Sequence, residues 1–344
     1  MPGVATKRKP ADLVSGWDHT IDDFVQAIAW SPDGTLLAVA SVSGPITLLH
    51  AATGAVVHVL TGHTVGTTAL AWRPDGVCLA SCGQDGLVRL WDAAAGRDLL
   101  GLFSGGTWVE RIDWSPDGAY LAAAAGKLVR VWDAEAQVVR TYAEHPSTVL
   151  DVRWKPKGHV LASTAYSLLQ LWDPAQAEPL NRFEWRGSSL VMAWSPNGRY
   201  LATGDQDSTV HFWIVKTGRD LQMWGYPTKV RDLSWDHTSR YLATGGSKDV
   251  TVWDCSGRGP ENTRPLVLAA HTTYLSALAF QHRGVMLASG GEDGQAVVWR
   301  PGLSKRPVAC AALGDAVSTV AWSPDDQRLA VGTAGGLVEV FAAP

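Results

Sequence analysis

A chain of 344 residues, 46% apolar and only 18% charged, is long enough for two ordinary domains or for one large architecture with an extended core. A formal charge of −4 excludes a global attraction to polyanions, and four cysteines are too few for a disulfide framework. No run approaches the roughly 20 apolar residues that a membrane helix needs, so we expect a soluble, cytoplasmic protein with no nucleic-acid or membrane partner. The one dense basic run, Lys7-Arg8-Lys9, falls in residues 1–10, which lack the apolar stretch of a secretory signal and are expected to form a flexible tail.

The excess of 17 tryptophans and 35 glycines over six phenylalanines points to a Trp-bearing unit written many times. Ala29-Trp30-Ser31-Pro32-Asp33-Gly34 returns around Trp72, Trp114, Trp154, Trp194, Trp235, Phe280 and Trp322, at intervals of 42, 42, 40, 40, 41, 45 and 42 residues. Eighteen or nineteen residues after each anchor stands a second large apolar residue: Leu49, Trp91, Trp132, Trp172, Trp213, Trp253, Trp299 and Phe341. Trp91, Trp132, Trp172 and Trp253 are followed by Asp.

Within a unit the apolar period is two, as in Val88 and Leu90 around Arg89, which predicts strands. The Ser-Pro-Asp-Gly run is a turn, with Pro fixing φ and Gly supplying a positive φ, and Gln84-Asp85-Gly86 marks a tighter hairpin. Each unit therefore reads as four antiparallel strands, which bury both faces only if the copies stack, and a closed ring hides the end copies. Seven outer strands lie between consecutive units, for example Arg97 to Phe103, Val138 to Tyr142 and Pro307 to Ala311. Asp12-Leu13-Val14 is placed like Asp98-Leu99-Leu100, so residues 11–18 are expected to supply the missing strand beside that of Phe341.

The corners, in register with four Trp-Asp dipeptides and with Gly62-His63, resemble the WD-repeat β-propeller family from about residue 11 to 344. The expectation is a single all-β domain over 11–344: a closed propeller of four-stranded antiparallel blades, eight in number, with the seven commoner in that family as the alternative, and closed by an N-terminal strand. The resemblance implies a hydrogen-bonded network of His63, Ser81, Asp85 and Trp91 in unit two, and of His271, Ser289, Asp293 and Trp299 in unit seven. Elsewhere the His position holds Ile21, Gly105, Trp185, Tyr226 and Leu313, and unit four has His145 with Tyr166 where Asp belongs. Those six units are expected to rely on packing, with Trp185 and Tyr226 as structural substitutes.

No HExxH, phosphate loop or nucleophile elbow occurs, so no catalytic residue, metal or cofactor is assigned. Lys216-Thr217-Gly218 occupies the same turn as Ala94-Ala95-Gly96 and reads as structure. Cys78 and Cys82, four residues apart on one strand, would be separated by ~13 Å, too far to share a ligand. His159, His237 and His282 fall at corner turns.

The repeat leaves two sets of positions free to vary. Six residues before each anchor stand Phe24, Gly66, Trp108, Thr148, Ser188, Lys229, Tyr274 and Ala316, and four residues before stand Gln26, Thr68, Glu110, Leu150, Leu190, Arg231, Ser276 and Ser318. In the resembled family these positions rim the upper pore mouth, and aromatic and Arg side chains are those that dominate interface energies. Phe24, Trp108, Glu110, Lys229, Arg231 and Tyr274 are the candidate partner-binding rim, and Phe24, Trp108, Arg231 and Tyr274 are expected to surround one opening. The function expected is a monomeric, non-catalytic scaffold for protein or peptide partners; a propeller enzyme and an RNA- or phospholipid-binding module are the alternatives.

Overall fold

The computed structural model describes residues 10–105, 108–143, 145–257, 259–261 and 263–344. The expected tail at 1–10 therefore lies outside the described residues except for Pro10, as does Gly106 in the loop before Trp108. Unit two shows how a repeat folds. Thr67–Trp72, Cys78–Gly83, Leu87–Asp92 and Arg97–Phe103 pair antiparallel in chain order. In unit one, Ser31 Oγ donates to Asp33 at 2.6 Å and accepts from the Leu36 N–H at 2.9 Å, while Gly34 takes φ 71°. The Ser-Pro-Asp-Gly corner is thus a hydrogen-bonded clasp between the first two strands.

Among the described residues the strands assemble into seven hydrogen-bonded sheets: five of four strands, one of five and one of six. This corrects the expectation of eight separate four-stranded blades. Counted as continuous sheets, the propeller has seven, and repeat units four and five share the six-stranded one. Leu161–Trp172 supplies both the second and third strands of unit four in one run, bending at Ser167, whose φ is 59°. Asn181–Trp194 pairs through its first half with Leu161–Trp172 and through its second half with Tyr200–Asp205. The physical reason lies in residues 185–188: where unit two has the Gly-His turn, Trp185-Arg186-Gly187-Ser188 stays within the strand, and the pairing resumes across a register shift, from Leu168 opposite Glu184 to Tyr166 opposite Ser188.

The N-terminal segment pairs with the last strand, although over Ser15–Thr20 and not over residues 11–18 as expected. Ser15 stands opposite Phe341 and Thr20 opposite Leu337. Ala11–Asp12 instead adds in parallel to the outer edge of Ala309–Ala312, giving that sheet its fifth strand.

Neighbouring units are joined by the anchor tryptophans. The indole N–H of Trp72 donates to Ala29 O, Trp154 to Asp113 O, Trp194 to Arg153 O, Trp235 to Ala193 O and Trp322 to Ala279 O, at 3.0–3.2 Å, each to the preceding unit. Apolar clusters fill the wedges between sheets: Cys82 and Val88 of unit two pack with Val109, Trp114 and Trp132 of unit three. The second strands are rich in Ala and Gly because neighbours come close. A Cβ on Gly290 would stand 2.3 Å from Val317 Cγ1. No helix in the described residues is long and apolar enough to cross a membrane.

Candidate partner-binding rim

The first strand of every unit runs from the rim to the Ser-Pro-Asp-Gly corner, so rim and corners lie at opposite ends of the strands. The rim end is held by the hydrogen-bonded networks. In unit two, His63 Nδ1 lies 3.0 Å from Asp85 and Nε2 2.7 Å from Ser81 Oγ, which accepts the Trp91 N–H at 2.8 Å. Burial lowers the His63 pKa, which favours the neutral ring. With the proton on Nδ1 toward Asp85, Nε2 accepts from Ser81, and every group is satisfied. Unit seven repeats the arrangement with His271 Nδ1 3.0 Å from Asp293, Nε2 2.8 Å from Ser289, and Trp299 2.8 Å from Ser289.

The expectation that the other six units rest on packing alone is corrected for two of them. In unit four, His145 Nε2 still meets Ser163 at 2.9 Å and Trp172 donates to Ser163 at 2.8 Å, while the Lys127 carbonyl, 3.2 Å from Nδ1, takes the place of Asp. In unit six, the Trp253 N–H donates to the Tyr226 hydroxyl at 2.8 Å, and that hydroxyl meets Thr244 Oγ1 at 2.8 Å. Tyr226 thus supplies one oxygen where the repeat uses a His and a Ser. Trp185 fills the same place in unit five by ring contact, 5.3 Å from Trp213.

The structure distributes the six rim candidates over two adjoining openings, which corrects the expectation of a single one. Phe24, Lys229, Arg231 and Tyr274 line a groove of about 710 Å³ that runs over units six, seven, eight and one. Trp108, Glu110 and Arg231 line a second cavity of about 360 Å³ at the pore mouth, with Gln26, Leu150 and Leu190. Arg231 is common to both. Tyr274 is 50% exposed and Trp108 57%, so neither ring is consumed by packing between units. Lys229 and Arg231 are exposed, and Phe24 is half-buried.

Thr68, Ser276 and Ser318, also at the mouth, are turned sideways. Their hydroxyls donate to the carbonyls of Val109, Val317 and Val25 in the next unit, at 2.6, 2.5 and 2.7 Å. They stitch inner strands together and leave recognition to their larger neighbours.

Sequence reasoning missed the channel charges beneath the rim. Asp232, also in the wall of the groove, is pushed up to about 6 by burial, against the pull of Arg231 and Arg111. Asp113 accepts the Trp154 backbone N–H at 2.7 Å and is likewise raised to about 6 by burial. The fully buried Asp151 accepts from Met192 N at 2.9 Å and meets Arg153 Nε at 3.2 Å. Their signal was their place one or three residues before an anchor, where Ala stands in five and in three of the eight units respectively.

The Cys78, Cys82 and Cys255 thiols are free and buried. Burial raises Cys82 to about 12, so it remains a packed thiol. Among the described residues no three His, Cys, Asp or Glu side chains are grouped to hold a metal ion.

Comparison with known proteins places the fold. The model of the IFT122 first beta-propeller matches residues 24–263, and that of the WD domain, G-beta repeat, matches 262–300 and 310–341. The chain is 29% identical over 107 residues to eukaryotic translation initiation factor 3 subunit I of Aspergillus fumigatus, covering 27% of this chain and 32% of that protein. It is 27% identical over 142 residues to anaphase-promoting complex subunit cdc20 of Dictyostelium discoideum, covering 40% of this chain and 28% of that one. The match thus spans about a third of the length of these curated relatives. Among solved structures, the computationally designed Ika8 protein superposes with a TM-score of 0.82 at 21% identity, over 96% of this chain and 99% of that one, a likeness of fold. With repeat models matching it from residue 24 to residue 341, the chain belongs to the WD-repeat β-propeller family.

Proposed function

We propose that the protein is a non-catalytic interaction scaffold that holds a peptide segment of a protein partner across its rim. The observation that carries this reading is the 710 Å³ groove in which Phe24 and Tyr274 share walls with Lys229 and Arg231. The exposed Tyr274 ring and the half-buried Phe24 ring beside a guanidinium supply apolar area and directed hydrogen bonds together, the combination found at binding hot spots. An extended segment suits the shape, because the groove crosses several units and joins the pore-mouth cavity at Arg231.

The kinship supports the reading: two relatives are named as subunits, of a translation initiation factor and of the anaphase-promoting complex. The free thiols of Cys78, Cys82 and Cys255 accord with a reducing, cytoplasmic setting.

The test is capture of partners by tagged protein, compared among wild type, Tyr274→Ala, Arg231→Ala and the rim control Thr148→Ala. Loss of the same captured proteins from the first two variants alone supports the rim. Full capture by both moves recognition to another surface.

A further inference from the structure

At the opposite end of the strands, units four and five form a cavity of about 590 Å³ whose wall contains Lys155, Arg199 and Lys216 and no carboxylate. We propose that this cavity is an anion site for a phosphate-class dianion, either free phosphate or a phosphomonoester.

Three departures from the repeat create it. Unit four has Lys155-Pro156-Lys157-Gly158 where unit one has Ser31-Pro32-Asp33-Gly34, so the corner loses its carboxylate and gains two ammonium groups. Lys155 does not extend into solvent; its stem lies along the next corner, with Cε 2.6 Å from where a Cβ on Gly198 would stand and Nζ 6.0 Å from the Trp194 ring centroid. The aliphatic chain is thereby fixed and its charge is delivered to unit five.

Arg199 has lost its counter-ion. In unit six, Arg240 is paired with Asp254 at 2.9 Å, and Asp254 stands opposite Tyr241 in the ladder. In unit five the residue opposite Tyr200 is Ile214, so the matched Arg199 faces a methyl-bearing side chain where a carboxylate belongs. Lys216 follows in the same turn. Asp220, across the turn from it, lies 3.3 Å from His211 Nδ1. None of the three cations forms an ion pair among the described residues, whereas Arg73, Arg97, Arg153 and Arg219 each do.

Three converging cations against a chain of net charge −4 favour a compact, multiply charged anion over a long polyanion, which would need a basic stripe. Arg199 supplies a planar fork matched to two phosphate oxygens, and the two lysines supply point charges. Tyr200 and Ile214 form an apolar flank on which the organic part of an ester can rest.

The experiment is equilibrium titration of the full chain with inorganic phosphate and, separately, with phenyl phosphate, at fixed ionic strength. Saturable binding is expected, weakened about tenfold or more by Lys216→Glu and by Ile214→Asp, because each removes a charge-assisted contact or supplies the missing counter-ion. Lys229→Ala, on the rim, should leave it unchanged. Tighter binding of phenyl phosphate identifies an ester as the ligand, and equal binding identifies free phosphate. Absence of saturable binding by either probe overturns the proposal. So does binding that Lys216→Glu and Ile214→Asp leave unaltered while their melting temperatures match wild type.

Discussion

The indole N–H of Trp30, in the first repeat unit, donates to the carbonyl oxygen of Ala321, in the last, at 3.1 Å. The Arg328 guanidinium lies 5.0 Å from the Trp30 ring centroid and donates to Ala51 O and Gly34 O at 2.7 and 3.0 Å, so the seam is tied on both sides of that indole. The Trp114 indole N–H has no acceptor among the described residues, although Trp114 is about as buried as Trp30. Trp30→Phe should therefore lower unfolding stability by about 1 kcal/mol more than Trp114→Phe, the net worth of one hydrogen bond, when both are measured by denaturant titration. Equal losses would show that the indole bonds do not secure the ring.

Deleting residues 1–20 removes Ser15–Thr20 from the edge of Leu337–Ala342 and exposes that strand's unpaired backbone. The truncated chain should melt well below the full one and self-associate. A truncated chain that stays monomeric with an unchanged melting temperature would show that the N-terminal strand is dispensable for closure.

In the networks, Asp85→Ala or Asp293→Ala leaves a buried histidine nitrogen without its partner, at a cost of about 1–3 kcal/mol. Asp33→Ala should cost less. Its carboxylate serves Ser31 and the exposed Thr35, at a turn that water reaches. Chemical denaturation of the three variants compares them directly, and equal costs would contradict the role given to the networks.

Burial holds His145 at about 4, below its ordinary 6.5. Its folded-state pKa is depressed, so the stability it contributes is complete above pH 6.5 and is lost as the pH falls toward 4. His63 is shifted in the same direction by the same cause. Between pH 7 and pH 4.5 the wild type should lose about 2–3 kcal/mol more than His145→Gln, at ~1.4 kcal/mol per pKa unit. Parallel pH profiles for the two proteins would show that His145 titrates normally in the folded state.

Much of this architecture could be read from residues alone because the repeat carries its own register. Corner motifs at near-constant spacing located every first strand, and the resemblance to the WD-repeat family, carried across by that spacing, named the His, Ser, Asp and Trp positions of units two and seven. The number of sheets could not be read that way. Whether units four and five separate depends on backbone pairing through Tyr166-Ser167 and Trp185-Ser188, and no spacing rule reports whether an irregular turn breaks a ladder. The Tyr226 network was hidden for a related reason: its phenol reaches a bond geometry that a His-based pattern does not encode. The rim was legible as a set of positions and illegible as a shape. Sequence spacing orders residues around the ring, but only their depth and the lie of neighbouring loops divide them into a groove and a pore mouth.

The claim that the rim is the recognition surface is tested most directly by measuring affinity and melting temperature together for Arg231→Ala, the one residue common to both openings. With a captured partner in hand, the account predicts a loss of about 2 kcal/mol or more in binding, as at hot spots, with the melting temperature nearly unchanged because the side chain is exposed. Undiminished affinity in a folded Arg231→Ala protein would contradict it.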